Sequence, residues 1–148
     1  MIPVIKIQVE DFDIGFETAA LKKGSAVGAI AIFTGHVRDE EGLSALIIEH
    51  YPAMTGKEIA HIAAEAAARW PLTGLTIIHR VGRLETGAQI VLVAAAAAHR
   101  GEAFAACEFL MDYLKTKAPF WKQEERSGVA KWVEARSSDD AAAGRWKK

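Results

Sequence analysis

Met111-Asp-Tyr-Leu-Lys-Thr-Lys-Ala-Pro-Phe-Trp-Lys122 places two lysines, Lys115 and Lys122, on either side of a helix-stopping proline. Read backward from this stretch, Phe104, Cys107, Met111 and Leu114 recur at helical spacing, so a helix is predicted with Lys115 at the edge of its apolar stripe. A lysine at such an edge is expected to be partly buried, and desolvation penalises its charged form. A snorkelling lysine beside an aromatic cap is the plainer alternative. Pro119 disfavours helical geometry at Ala118, which ends the helix and sends Phe120, Trp121 and Lys122 off in a new direction.

The chain has 148 residues, half of them hydrophobic, which suits one domain spanning residues 1–148 with a real core. No apolar run reaches the length of a charge-free membrane span, and Met1-Ile-Pro-Val-Ile-Lys6 lacks a basic region followed by an apolar signal core, so a cytoplasmic protein without membrane contact is expected. Cys107 is the single cysteine, which excludes an internal disulfide framework and reads as a small core residue. A formal charge of −1 with mixed signs argues against general nucleic-acid binding, so an anionic ligand would have to be met by a local cluster.

Outward from the lysine stretch, strands and helices alternate. Val27–Phe33 and Ser44–Tyr51 are β-branched or aromatic runs, and Asp39–Gly42 between them reads as a hairpin turn or an open loop joining paired strands. A first helix is expected where Thr55 and Glu58 have capping-box spacing and Met54 and Ile59 have staple spacing, with Ile59, Ile62, Ala63 and Ala66 buried up to Trp70-Pro71. Leu75–Val81 and Gln89–Ala94 read as strands joined at Glu85-Thr-Gly87, and the alanines to Ala98 as a continuation of the second strand. The second helix is expected to start at Gly101-Glu102. Val129–Ala135 reads as a strand and Asp139–Lys148 as a polar tail with helical character. The class is α+β, a mixed sheet with two main helices, compatible with a ferredoxin-like core carrying additions.

Three further places carry candidate chemistry. His99-Arg100-Gly101-Glu102 opens a helix, where unpaired N–H groups beside a histidine and an arginine make a compact anion site. A solvated Arg100 with His99 capping a backbone carbonyl is an equally good reading. Thr34-Gly-His-Val-Arg38 ends a strand with a planar guanidinium suited to phosphate, provided that Arg38 meets other cations. Lys122-Gln-Glu124 and Val133-Glu-Ala-Arg136 would pass for surface charge in isolation. His61 and His79 lack metal-ligand spacing and read as structural. No Walker loop, dinucleotide fingerprint or nucleophile elbow is present.

Taken together, Thr34–Arg38, Glu49–Thr55, Arg69–Leu72, Ile78–Gly82, Ala98–Arg100, Phe109–Lys122 and Trp132–Arg136 resemble the large, catalytic subunit of molybdopterin synthase. The resemblance implies an α/β hammerhead-type α+β fold and a homodimer within a heterotetramer. A small ubiquitin-like sulfur-carrier subunit would sit at each end, its C-terminal Gly-Gly tail carrying a thiocarboxylate. The substrate implied is cyclic pyranopterin monophosphate, which takes up two sulfurs and becomes the dithiolene of molybdopterin. Residues carried over as substrate-contacting are His36, Val37, Arg38, His99, Arg100, Lys115, Lys122, Gln123 and Glu124, with Phe33, Met111 and Arg136 as additional candidates. Relatives more often have a second basic residue where this chain has Gln123, and the 39–42 turn is short beside some of them. Neither a cofactor nor a metal is expected.

The chemistry of the residues suits that implication. Arg38, His99 and Arg100 would hold the cyclic phosphate, Lys115 would serve proton transfer or charge stabilisation at the reacting carbon, Lys122 would neutralise the thiocarboxylate, and Glu124 would orient a lysine. Two rivals need less: an adaptor that grips a ubiquitin-like tail through Phe120-Trp-Lys122, and a small module that binds nucleotide or RNA through Arg38 and Arg100.

Overall fold

A computed structural model describes residues 1–133 and 137–147; the candidate Arg136 lies outside the described residues, as do Glu134 and Ala135. The elements run β1 (Val4–Gln8), α1 (Ile14–Leu21), β2 (Ala29–His36), β3 (Leu43–His50), α2 (Pro52–Arg69), β4 (Leu72–Arg80), β5 (Gly82–Glu85), β6 (Gln89–Ala97), α3 (Arg100–Thr116), β7 (Phe120–Arg126), β8 (Val129–Val133) and α4 (Ser137–Gly144).

Eight strands form two four-stranded sheets, where the sequence suggested one. The first has the order β1-β4-β6-β2 and is mixed, with β1 parallel to β4 and the other pairs antiparallel. The second has the order β5-β3-β7-β8 and is antiparallel throughout. The ferredoxin-like arrangement therefore does not form: β3 and β5 leave the first sheet, and its elements follow β-α-β-α-β-β-α. Asp39–Gly42 links two sheets and is no hairpin, because β2 pairs with β6 while β3 pairs with β5 and β7.

β6 explains the alanine run. Ile90 to Ala97 are all buried, because the strand is covered on both faces. Val91, Val93, Ala95 and Ala97 belong to the main core with α2 and α3, whereas Leu92 and Ala94 join Ile78 in a smaller cluster against Phe12 and Leu21 of the α1 side. Small side chains permit this double cover. A Cβ at Gly28, just before β2, would collide with the carbonyl oxygen of Ala98.

α2 begins earlier than the capping-box spacing suggests. Pro52 occupies the first turn and Tyr51 is the N-cap without a side-chain cap, so Thr55 lies inside the helix and Met54 is exposed. The expected stripe of Ile59, Ile62, Ala63 and Ala66 is buried. Thr55, fully buried, accepts from the Tyr51 N–H at 3.1 Å and donates to the Pro119 carbonyl at 2.9 Å. It thus fastens the start of α2 to the turn between α3 and β7.

α3 buries Ala103, Ala106, Cys107, Phe109, Leu110 and Leu114. Its buried face is rotated from the stripe read in the sequence, leaving Phe104 65% exposed and Met111 half-buried. Phe109 packs among Trp70, Tyr113 and Trp146. Trp146 follows α4 and donates from Nε1 to Asp112 at 2.6 Å, which holds the C-terminal segment on α3.

Thr55→Val preserves shape but leaves the Tyr51 N–H and the Pro119 carbonyl without this partner. Unfolding in urea should show a loss of about 1–3 kcal/mol, and a loss below measurement error would remove the hydrogen bonds from the account of this junction.

Candidate functional site

Lys115 is the penultimate residue of α3 and is exposed, against the expectation of partial burial. One residue past the buried Leu114, it is turned off the core face by the helical rotation. Lys122 is half-buried in β7, directly opposite the buried Ile48 of β3. Lys115 and Lys122 flank the Lys117–Pro119 turn, and both act electrostatically on one imidazole, that of His79 at the end of β4. Each depresses its basicity, Lys122 more than Lys115, and His50 adds to the effect.

His79 is 8% exposed. Its ring stacks on Phe120 with centroids 3.8 Å apart and planes 15° off parallel. Nδ1 lies 2.8 Å from the Arg80 carbonyl oxygen. Since a carbonyl only accepts, Nδ1 carries the proton and Nε2 the lone pair. Burial is the main cause of a pKa pushed down to about 4. Spacing alone gives His79 a structural role; its place against Phe120 depends on contacts between strands far apart in the chain and leaves no local signal.

From Lys122 a charged row continues along β7. Alternation puts Phe120, Lys122, Glu124 and Arg126 on one face. Arg126 pairs with Glu124 at 3.5 Å and with Glu40 at 2.9 Å, and Arg38 donates to the other oxygen of Glu40 at 2.6 Å. Glu124, expected to orient a lysine, is thus engaged by an arginine. The hydrogen bond from Arg38, followed by that from Arg126, holds the Glu40 carboxyl below the usual range. Arg126 escaped the sequence reading because only the strand register carries it to Glu40. The same alternation turns Gln123 to the opposite face, opposite Trp132, so it does not join Lys122 and Glu124.

Other candidates divide by location. His36 is exposed at the end of β2 and meets Thr34 Oγ1 at 3.0 Å. Val37 is 1% exposed and belongs to the core, its backbone clamped to Ala88 and Gly87, so packing explains it better than ligand contact. Phe33 and Met111 do come together, lining with Ala31, Ile32, Phe104 and Cys107 a groove of about 470 Å³ between β2 and α3. Cys107 donates weakly to the Val93 carbonyl at 3.7 Å, and burial pushes its thiol up to about 11, so it is a poor nucleophile.

His99 and Arg100 stand apart. Both are exposed at the start of α3, and His99 is the N-cap without a side-chain cap, contrary to the capping alternative. Lys115 lies fifteen positions along the helix from Arg100, a rise of about 22 Å. The β2–β6 register agrees: His36 pairs with Gln89 at one end and Ala29 with Ala97 at the other. Within one chain, the compact site expected from sequence is two sites at opposite ends of α3. Among the described residues no cluster of His, Cys, Asp and Glu converges on a metal position, and no helix is long and apolar enough to cross a membrane.

The fold is thus a two-sheet α+β class, with two lysines in electrostatic reach of a buried imidazole and a row of alternating charges continuing from Lys122 to Arg38. Comparison supplies the family. The model of the MoaE protein family matches residues 7–117. The molybdopterin synthase catalytic subunit of Mesorhizobium japonicum is 57% identical over 149 residues, covering 98% of this chain and 94% of that one. A MoaE protein structure from Burkholderia ambifaria shares 53% identity with a TM-score of 0.85 over 98% of both chains. Molybdopterin synthase from Staphylococcus aureus shares 31% identity with a TM-score of 0.79, covering 86% of this chain and 95% of that one. The chain belongs to the MoaE family of molybdopterin synthase catalytic subunits.

The His79 pKa fixes a pH dependence of stability. The unfolded imidazole binds protons from about 6.5 and the folded one only near 4, so stability is intact above 6.5 and falls as pH drops through that window. The loss by pH 4 should be about 3 kcal/mol. His79→Phe should lose correspondingly less in urea melts between pH 7 and 4.5; an equal loss in both proteins would show that His79 is not the group responsible.

Proposed function

We propose that this chain transfers two sulfurs from the thiocarboxylated tail of a small ubiquitin-like subunit to cyclic pyranopterin monophosphate, forming the dithiolene of molybdopterin. The carrying observation is that Lys115 and Lys122 flank the three-residue α3–β7 connection, both in electrostatic reach of His79, in a chain of this family. In each transfer the thiocarboxylate sulfur bonds to a carbon of the pterin side chain, an oxygen leaves that carbon with a proton, and water cleaves the acyl–sulfur bond to return an ordinary carboxylate. Lys122, opposite Ile48 in the strand register, neutralises the incoming tail and the oxyanion that develops during cleavage. Lys115, exposed at the helix end, reaches the reacting carbon and supplies the proton. Cys107 carries no sulfur.

The phosphate needs more cations than this corner of one chain offers. β2 is an edge strand, eight residues long and largely apolar, with Ile32 and Phe33 exposed along it and Phe104 exposed on α3 beside it. Such an edge invites a second copy. Two β2 strands paired antiparallel about Ile32 and Phe33 would bring Ala29 of one protomer opposite His36 of the other. His99 and Arg100 would then approach the partner's Arg38 and Lys115, completing one anion site at each end of the dimer.

Purified chain supplied with a thiocarboxylated partner and the pterin precursor should form dithiolene, and failure with a fully charged partner would sink the reading. Lys115→Ala should abolish product while leaving fold and partner binding intact, and Lys115→Arg should fail as well because guanidinium does not give up its proton; unchanged turnover would remove Lys115 from the mechanism. Cys107→Ala should transfer sulfur normally, and loss of transfer in a folded variant would make Cys107 a carrier after all.

Mixing inactive Lys115→Ala dimers with impaired Arg100→Ala dimers tests the shared site. Exchange creates one intact site per hybrid, so activity should rise to about a quarter of wild type. No gain from a mixture shown to exchange protomers would place both residues' function within one chain.

A further inference from the structure

Two tight turns meet at one end of the second sheet. Residues 39–42 lead from β2 into β3, and Ser127-Gly128 joins β7 to β8 with both residues in the left-handed region, at φ 50° and 76°. Strand register sets Arg126, the last residue of β7, opposite Leu43, the first of β3. The 39–42 turn is closed by the Leu43 N–H on the Glu40 carbonyl at 3.0 Å, with Gly42 at φ 77°. On the β2 side the Val37 N–H donates to the Ala88 carbonyl at 2.9 Å, and the Gly87 N–H donates to the Val37 carbonyl at 2.7 Å. Arg38 therefore leaves a main chain that is tied down on both sides.

Arg126 commits its fork to the first of these turns. Its Nη2 donates to Glu40 Oε2 at 2.9 Å and its Nη1 to the Glu41 carbonyl, and Glu124 stands 3.5 Å from Nη2. Glu40 accepts from Arg38 Nη2 at 2.6 Å on its other oxygen. Partly exposed ion pairs contribute little to stability. β3 is in any case joined to β7 by their ladder and by Ser44, whose hydroxyl donates to the Glu125 carbonyl at 2.9 Å. What the row does fix is direction. A two-point grip by a planar guanidinium sets the place of the Glu40 carboxylate, and that carboxylate sets Arg38, a side chain with several rotatable bonds that is 70% exposed.

We propose that Arg126 and Glu40 are positioning residues for the substrate's phosphate: Arg126 grips the 39–42 turn, Glu40 presents the Arg38 guanidinium to the anion, and Arg126 retains the carboxylate when the phosphate takes Arg38. This rests on the functional reading above, in which Arg38 belongs to the anion site. Arg38 is in place before the ligand arrives, so less rotamer freedom is lost on binding. The carboxylate that lets go keeps a cation.

Nitrogen NMR of the free chain reads the grip without any turnover. Arg126→Met keeps the length of the side chain and removes the fork, whereas Arg126→Lys keeps the charge and loses the two-point contact. Rotation of the Arg38 guanidinium about its Cζ–Nε bond, assigned by its loss in Arg38→Lys, should quicken about fivefold or more in both variants. Glu40→Gln should quicken it as well, and carries the test should the Arg126 variants not fold. A rotation rate equal in wild type and in the folded variants overturns the proposal.

In the complete synthase with thiocarboxylated partner, Arg126→Met and Arg126→Lys should each raise KM for the pterin precursor about fivefold or more with kcat within about twofold. The Arg38→Ala/Arg126→Met double variant should be no worse than Arg38→Ala, because Arg126 acts through Arg38. A merely structural contribution would add to the loss from Arg38→Ala, and a normal KM in Arg126→Lys would reduce Arg126 to its net charge; either result overturns the proposal. A wild-type chain that makes no dithiolene sinks the functional reading, whereas the rotation rates still decide whether Glu40 and Arg126 hold Arg38.

Discussion

The passage from α3 to β7 takes three residues, Lys117 to Pro119, and the rest of the molecule is arranged around that constraint. Proline ends the helix, and the next residue already pairs with His50 in another sheet. So short a connection leaves β7 no freedom to choose its place. Thr55 closes the junction from the side of α2, and the His79–Phe120 stack closes it from the first sheet. Four elements thereby meet at one corner, and two ammonium groups are delivered there by backbone geometry.

Much of this was legible in the sequence because it is local. The proline, the lysines around it, the buried stripe of α2 and the apolar run of β6 each follow from residue type and spacing within about twenty positions. What escaped was the partition of strands between sheets. Asp39–Gly42 looks like a hairpin turn, yet nothing within it encodes that β3 finds β7 nearly eighty residues later. The same cause hid His79 and Arg126, whose neighbours Phe120 and Glu40 lie far along the chain. Lys115 was misjudged by a smaller error, since a rotation of the α3 stripe by one residue carries it from the edge of the core into solvent.

His99 and Arg100 show how a resemblance and a fold can disagree productively. Both belong to the residues that resemble the family, and both lie a helix length from the lysines. A rigid 17-residue helix cannot bring its two ends together, so a single ligand can meet both ends of α3 only if another chain supplies one of them. The apolar edge of β2 and the groove beside it occupy the right place for that chain.

The Arg38–Glu40–Arg126 row has a further consequence. Both oxygens of Glu40 are already held by guanidinium groups, and Arg126 also donates to the Glu41 carbonyl. A phosphate reaching this row would meet an arginine that has a resident carboxylate, and binding there would be an exchange of one anion for another. Its net gain would be the difference between two charge-assisted contacts, which would favour ligands more highly charged than a carboxylate and leave singly charged bystanders little to win. The row would then work as a threshold on ligand charge, set by the short 39–42 turn that carries Glu40.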